Sequence, residues 1–354
     1  MGALIPLRDD LGLVEGYHSP QVDVDVRLNT NESPYPPPKA WRDDLIEFVS
    51  MVPFNRYPDR SASALRAVLA DLHGVRPQQV FAANGSNEVL QGLCLAYGGP
   101  GRRVVTFEPT YALHSHIAKV TGTEVVEGER QADFTLDVDA ARALLAEAQP
   151  AITFLCSPNN PTGRAEPREV VEAVLDAAPG LVVVDEAYGQ FSSWSALSLV
   201  ADDVPLVVVR TYSKTWSMAA ARLGYLVGPA SVVAGLEHVS LPYHLDAVKQ
   251  AAGRLALRYR SEMEARVRAL VDERERIATR LAGLPVETWP SESNFVLFRP
   301  TGTAGADVWQ ALLDRSVLVR NCSTWPRLEG CLRVTVGTPE ENDAFLAALT
   351  EVLS

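Results

Sequence analysis

The chain has 354 residues, 47% of them hydrophobic and 21% charged, and carries a net charge of −12. That length is roughly two domains at about 150 residues each, and the acidity excludes nucleic acid as a main partner, because phosphate contact needs a basic surface. No run of about 18 apolar residues predicts a membrane span, and the segment Met1 to Asp10, with Pro6 in its short apolar stretch, does not read as a secretory signal.

In chain order, the first forty residues read as irregular. Pro34, Pro36, Pro37 and Pro38 crowd one stretch that cannot be helix interior. This predicts an arm lying across the body of the protein or across a partner. Ala64, Leu65, Val68, Leu69 and Leu72 then repeat at helical spacing, and Gly74 supplies a stop. Val80 to Ala83 predicts a strand and Asn87 to Tyr97 a helix. Further buried strands are expected at Val104 to Phe107, Ile152 to Leu155, Leu181 to Val184, Leu206 to Val209 and Tyr225 to Val227. Helical stretches such as Arg168 to Ala178 separate most of them. Continuous Val/Ile/Leu runs between helices predict a largely parallel sheet covered on both faces.

From Leu245 to Arg280 there is no proline and charge becomes dense, which predicts one or two long helices. Beyond them, Asn294 to Phe298, Val317 to Val319 and Leu332 to Val336 read as strands. Asp307 to Arg315 and a last segment from Glu340 read as helices. This mixture predicts a smaller α+β unit. Cys94, Cys156, Cys322 and Cys331 form no C-x-x-C pair, so they read as thiols of a reducing, cytoplasmic setting.

The chemistry is carried by segments that mostly follow predicted strands, where ligands of open α/β sheets sit. They are Asn84-Gly85-Ser86-Asn87-Glu88, Pro109-Thr110-Tyr111, Ser157 to Gly163, Asp185-Glu186-Ala187-Tyr188, Ser213-Lys214 with Arg222, and Leu332-Arg333-Val334. Taken singly, Lys214 is a surface lysine, Asp185 a helix cap, Asn159-Asn160-Pro161-Thr162-Gly163 a turn and Arg222 a surface ion pair. Taken together they supply what pyridoxal phosphate (PLP) chemistry requires. Lys214 would form the Schiff base and shuttle a proton. Asp185 would keep the pyridine nitrogen protonated. Gly85-Ser86-Asn87, opening a helix after a strand, would cradle the phosphate with Ser213 and Arg222.

Rival chemistries fail on spacing. His114 and His116, at i and i+2 on a predicted helix, point about 200° apart and do not chelate together, so no metal site is expected. Gly98-Gly99-Pro100-Gly101 precedes a strand rather than following one, against a dinucleotide site. No Gly-x-Ser-x-Gly is present for a serine hydrolase. A non-catalytic regulator of this type would carry a DNA-binding module, for which no extra segment exists.

The segments resemble those of fold-type I PLP aminotransferases, and within them the histidinol-phosphate aminotransferases. The resemblance spans nearly the whole chain. It is carried by Leu28-Asn29-Thr30-Asn31-Glu32, Arg56-Tyr57-Pro58-Asp59, Ala83 to Glu88, Arg210-Thr211-Tyr212-Ser213-Lys214, Leu241 to Leu245, Ser293 to Leu297 and Leu332 to Thr338. It implies a mostly parallel, seven-stranded-type sheet domain with helices on both faces and a smaller α+β domain. The expected divisions are an arm over 1–40, a large PLP-binding domain over 41–240, and a small domain over 241–354 on which part of the arm packs.

The resemblance also implies roles. Lys214 holds the cofactor and Asp185 pairs with its ring nitrogen. Asn160 and Tyr188 bond its phenolic oxygen, and Tyr111 stacks on its face. Ser86, Ser213 and Arg222 hold its phosphate, with Tyr57 arriving from the other subunit of a homodimer with shared sites. Arg333 binds the substrate α-carboxylate. Arg320, with Tyr17 as a second candidate, meets the phosphate of histidinol phosphate. The implied reaction is transamination between histidinol phosphate and 2-oxoglutarate, with an aromatic amino-acid aminotransferase or an amino-acid-phosphate decarboxylase as alternatives. The chain departs from the family's commonest pattern at Trp216, Met218 and Trp325, and at Gly16-Tyr17-His18-Ser19.

Overall fold

The computed structural model describes residues 22–354 together with Ile5, Arg8 and Leu11. The chain opens with β1 (Val26–Leu28), α1 (Lys39–Met51), α2 (Ser63–His73), β2 (Val80–Ala83), α3 (Ser86–Tyr97), β3 (Arg103–Glu108) and α4 (Leu113–Val120). It continues through β4 (Glu124–Glu129), α5 (Val138–Ala148), β5 (Ile152–Cys156), α6 (Arg168–Ala177), β6 (Leu181–Asp185), β7 (Leu206–Thr211), β8 (Gly224–Val227) and α7 (Ala230–Val239). The rest comprises α8 (Ala247–Ala256), α9 (Arg260–Leu281), β9 (Val286–Thr288), β10 (Phe295–Pro300), α10 (Gly305–Leu313), β11 (Val317–Asn321), β12 (Leu332–Thr335) and α11 (Pro339–Leu353).

Seven strands form one sheet in the order β2-β8-β7-β6-β5-β3-β4. Only β8 runs antiparallel to its neighbours. Every residue of β2, β5, β6, β7 and β8 is buried, which is why these strands read as unbroken apolar runs. Successive side chains serve opposite faces. Val183, Val207 and Val209 pack under Leu90 of α3 and Leu236 of α7. Val182, Val184 and Val208 pack under Leu145 of α5 and Val174 of α6. Each such side chain stabilises by about 1.5–3 kcal/mol relative to exposure.

The strand β4 is a correction to the sequence reading. Its glutamates Glu124, Glu127 and Glu129 break the apolar signal because it is the sheet's edge, where charge blocks further pairing.

A second sheet has the order β1-β11-β12-β10-β9. Here the expectation of an irregular first forty residues also needs correcting. Residues Val26–Leu28 pair in parallel with Val317–Val319, almost three hundred residues away, and α1 starts at Lys39 directly after the proline cluster. The prediction of one or two long helices resolves as α8 and α9, joined by a 3-10 turn. Trp41 of α1 donates to the Ala252 carbonyl of α8 at 3.0 Å. One continuous core runs from Trp41 and Leu65 through Tyr212 to Phe295 and Phe345, so the two sheets share buried apolar surface. Trp216 and Met218 belong to that core. Among the described residues no helix is long and apolar enough to cross a membrane. All four cysteines are buried and free.

Candidate active site

The carboxyl ends of β2, β3, β5, β6 and β7 share one edge of the large sheet, and the loops leaving them enclose a cavity of about 370 Å³. Asp185 closes β6 there and is 1% exposed. A buried carboxylate needs partners. Its Oδ1 accepts from the Ala187 amide at 3.1 Å, and its Oδ2 lies 3.0 Å from His114 Nε2. A carboxylate only accepts, so Nε2 carries the imidazole proton. The His114 ring is held in turn, stacked on Phe154 at 4.8 Å and meeting Tyr111 edge-on at 5.4 Å. The sequence reading weighed His114 only as a metal ligand with His116 and so missed this positioning contact. Helical spacing excluded chelation but could not reveal a partner 71 residues away. No group of three or more His, Cys, Asp or Glu side chains suited to a metal occurs among the described residues.

Lys214 follows β7 and lines the same cavity. Its Nζ donates to the Thr30 carbonyl at 3.0 Å. Loss of hydration, with Arg333 and then Arg222 nearby, lowers the amine from 10.5 to about 7, against a weaker opposing pull from Glu32. Between about pH 7 and the unfolded value near 10.4 the unfolded chain binds more protons than the folded one, so stability rises with pH across that window and is lost toward pH 7. In cofactor-free protein, Lys214→Met should remove this rise. Urea midpoints of the two proteins at pH 7, 8.5 and 10 should differ most at pH 7, and parallel curves would refute the assignment.

The anion end of the cavity is built from backbone. Gly85 precedes α3 with φ 87°, and no side chain caps the helix. A Cβ on Gly85 would lie 2.9 Å from Arg222 Nη2, and one on Gly224 would lie 2.2 Å from the Ser86 amide nitrogen. The guanidinium and the open helix start therefore approach as closely as glycine alone permits. Arg222 Nη1 donates to Ser213 Oγ at 3.3 Å, and Thr211 Oγ1 donates to the same oxygen at 3.0 Å. Uncapped amides, a helix dipole and a fixed arginine make an anion site.

The opposite wall comes from the second sheet and the N-terminal segment. Arg333 on β12 is 4% exposed. It donates to Asn160 Oδ1 at 2.5 Å and to the Asn29 carbonyl at 3.0 Å. Asn31, in a left-handed conformation with φ 55°, ties the wall together. Its Nδ2 donates to the Tyr188 hydroxyl at 2.9 Å, its amide donates to Thr335 Oγ1 at 3.0 Å, and its carbonyl accepts from Asn294 at 3.2 Å. Burial pushes the Tyr188 phenol up, so it is neutral near pH 7. No role was expected for Asn31, although it lies in one of the recognised blocks.

Most of the expected residues meet. Ser86, Asn87, Tyr111, Asn160, Asp185 and Tyr188 line the cavity with Ser213, Lys214, Arg222 and Arg333. Three do not. Tyr57 is 81% exposed and stacks on Tyr243 at 4.5 Å, outside the cavity. Arg320 is buried opposite Arg333 across the β11–β12 pair, with its guanidinium 5.5 Å from the Trp325 ring centroid, and it does not line the cavity. Tyr17, with Gly16, His18 and Ser19, lies outside the described residues.

A desolvated amine, a doubly held carboxylate and an anion cradle around one small cavity are the requirements of pyridoxal phosphate chemistry, and on this fold they define a PLP-dependent aminotransferase. The chain belongs to the aminotransferase class I and II family, whose sequence profile matches residues 23–349. It is 46% identical over 358 residues to a histidinol-phosphate aminotransferase of Mycobacterium avium, covering 98% of this chain and 89% of that one. It is 47% identical over 365 residues to that of Frankia casuarinae, covering 99% and 91%. The fold is shared with the histidinol-phosphate aminotransferase of Sinorhizobium meliloti in complex with pyridoxal-5'-phosphate, at a TM-score of 0.85 and 22% identity, covering 93% of this chain and 91% of that one. The cavity fits that cofactor. The Arg222 guanidinium and the Ser86 amide, brought close over Gly85 and Gly224, suit its phosphate, and the fixed Asp185 oxygens suit a protonated ring nitrogen.

Proposed function

We propose that this aminotransferase exchanges an amino group between histidinol phosphate and 2-oxoglutarate, giving imidazole-acetol phosphate and glutamate. The observation that carries the reading is the meeting of Lys214, Asp185 and Arg333 in one cavity, in a chain whose relatives at 46–47% identity bear that activity in their names. When bound, pyridoxal phosphate supplies an aldehyde for the substrate nitrogen and a ring that withdraws electrons. The protein supplies the rest. Lys214 Nζ, lowered to about 7 and so about half uncharged at pH 7, takes the proton from the substrate α-carbon and returns it. Asp185, oriented by His114, holds the proton on the ring nitrogen. Asn160 and Tyr188 bond the phenolic oxygen, and Tyr111 covers the ring face. Ser86, Asn87, Ser213 and Arg222 hold the phosphate beside Gly85.

Arg333 takes the α-carboxylate of glutamate, exchanging its bond to Asn160 for the substrate. We assign Arg320, which lies outside the cavity lining but directly opposite Arg333, to the substrate's second anionic group, which it reaches by leaving the Trp325 ring. Residues opposite each other on antiparallel strands project from one face, and like charges placed so repel. An anion between Arg320 and Arg333 relieves that repulsion, whether it is the phosphate of histidinol phosphate or the side-chain carboxylate of glutamate. Arg333→Ala should therefore reduce the glutamate half-reaction more than the histidinol phosphate one, by roughly ten- to a hundred-fold in specificity constant. Arg320→Ala should reduce both. Stopped-flow half-reactions with histidinol phosphate, glutamate and phenylalanine check this. A wild type that prefers phenylalanine and ignores histidinol phosphate would replace the present reading with an aromatic aminotransferase.

The enzyme is proposed to act in the cytoplasm as a homodimer with shared sites. Met51, Phe54, Tyr57 and Leu241 are each more than two-thirds exposed, a quantity of apolar surface that marks an interface, and Tyr57 then reaches the partner's phosphate cradle. Mixing Lys214→Ala protomers with Tyr57→Phe protomers should restore activity, because half of the sites in each mixed dimer regain both side chains. A fully active monomer by sedimentation at micromolar concentration would end this proposal.

A further inference from the structure

A second cavity, of about 410 Å³, lies behind the large sheet and shares no lining residue with the first. It opens between α2, α9, β7, β8 and the 3-10 turn Gly189–Phe191. Its walls are apolar at Leu72, Met263 and Val267 and aromatic at Tyr225. Three arginines face it, Arg210, Arg260 and Arg268, against one carboxylate, Glu264. Glu186 pairs with Arg210 from outside this lining, so in a chain of net charge −12 the cavity keeps one uncompensated positive charge, at Arg268.

The arginines are not equally spent. Arg260 bonds Glu264 at 2.6 Å. Arg210 is 5% exposed and uses Nη2 on Glu186 at 2.6 Å and on Ser195 at 2.9 Å. Its Nε has no hydrogen-bond partner, nor does Gln190 Oε1 nearby. Native proteins rarely leave such atoms unpaired. Arg268 is exposed at the mouth and makes no ion pair among the described residues. His73 adds no competing charge. Its ring bonds the Tyr225 hydroxyl at 2.9 Å, and burial, with Arg210 and Arg260, holds it down to about 4.

We propose that this cavity binds a small carboxylic acid with an apolar or aromatic body, its carboxylate between Arg210 and Arg268 and its body against Leu72, Met263 and Tyr225. The volume lies within the range of small-molecule pockets, and a few convergent polar groups on apolar walls are their usual lining. Arg268 sets the charge and Arg210 offers its unpaired Nε as a donor, and the apolar walls favour an acid with a body over a bare inorganic ion.

The experiment titrates the holoenzyme calorimetrically with 3-phenylpropanoate, and with acetate and inorganic phosphate as anions lacking a body. The acid is expected to bind at two places, one lost in Arg333→Lys and the other retained there. The retained event should weaken about tenfold in Arg268→Glu, a charge reversal at an exposed position, and vanish in Leu72→Trp, which fills the mouth. Unchanged transamination would report that both variants fold. If Leu72→Trp fails to fold, Arg268→Glu carries the test alone. The proposal is overturned if Arg333→Lys abolishes all binding, if acetate or phosphate binds the retained site as tightly as 3-phenylpropanoate, or if soaked crystals show the acid in the reaction cavity alone.

Discussion

Replacing Lys214 by alanine is expected to lower transamination by at least about 10⁴-fold, the upper end of what a positioned proton-transfer group contributes. The fold should survive. The side chain hydrogen-bonds from Nζ to the Thr30 carbonyl, and truncating it at the wall of an open cavity also removes a costly desolvated amine. The chain has four lysines, Lys39, Lys119, Lys214 and Lys249. Lys39 and Lys119 have side chains 79% and 51% exposed, and Lys249 is engaged by Asn84 and Asp246. Borohydride reduction of the wild type followed by peptide mapping should therefore place the pyridoxyl group on Lys214, and the alanine variant should carry none. Label on any other lysine would remove the proposed mechanism at its first step.

Asp185→Asn should bind the cofactor yet lose about 3–4 kcal/mol of transition-state stabilisation, roughly 10²- to 10³-fold in rate. An amide of the same shape keeps an oxygen that can still accept from Ala187 or His114, so the strand end stays in place. What disappears is the negative charge that keeps the ring nitrogen's proton. His114→Phe tests the same link from behind. It leaves the carboxylate charged but removes one of its two holds, so a smaller loss is expected, of about tenfold. Single-turnover rates with glutamate measure both. A near-wild-type rate for Asp185→Asn would rule out the role, and a His114→Phe defect as deep as that of Asp185→Asn would show that charge, too, depends on the imidazole.

Local information in this chain is strong. The strands of the large sheet's centre are apolar from end to end because both faces are covered, so their positions, and those of the helices expected at Asn87–Tyr97 and Arg168–Ala178, were legible within a residue or two. The chemistry was legible for a related reason. Residues at strand ends need no knowledge of packing to be placed at a common edge, once the strands are known to run parallel. Asp185, Lys214 and the Gly85-Ser86 helix start fall there by sequence position alone.

Side-chain direction over long separations was decided only by the tertiary structure. Nothing near His114 in sequence announces Asp185, 71 positions on. Nothing near Asn31 announces Tyr188 at 157 positions or Thr335 at 304. β1 is three residues long and acquires its identity from β11. Edge strand β4 hides behind its glutamates, because an edge is protected by the charges that erase its apolar signal. Arg320 could be placed beside Arg333 by pairing two predicted strands, and the pairing is there. Its position outside the cavity lining depends on rotamers and on Trp325. The sequence by itself determined the strands, their common edge and the chemical groups delivered to it, since apolar runs and Gly/Pro punctuation are local properties. The order in which those groups brace one another, and the second cavity behind them, came from packing between segments distant in sequence.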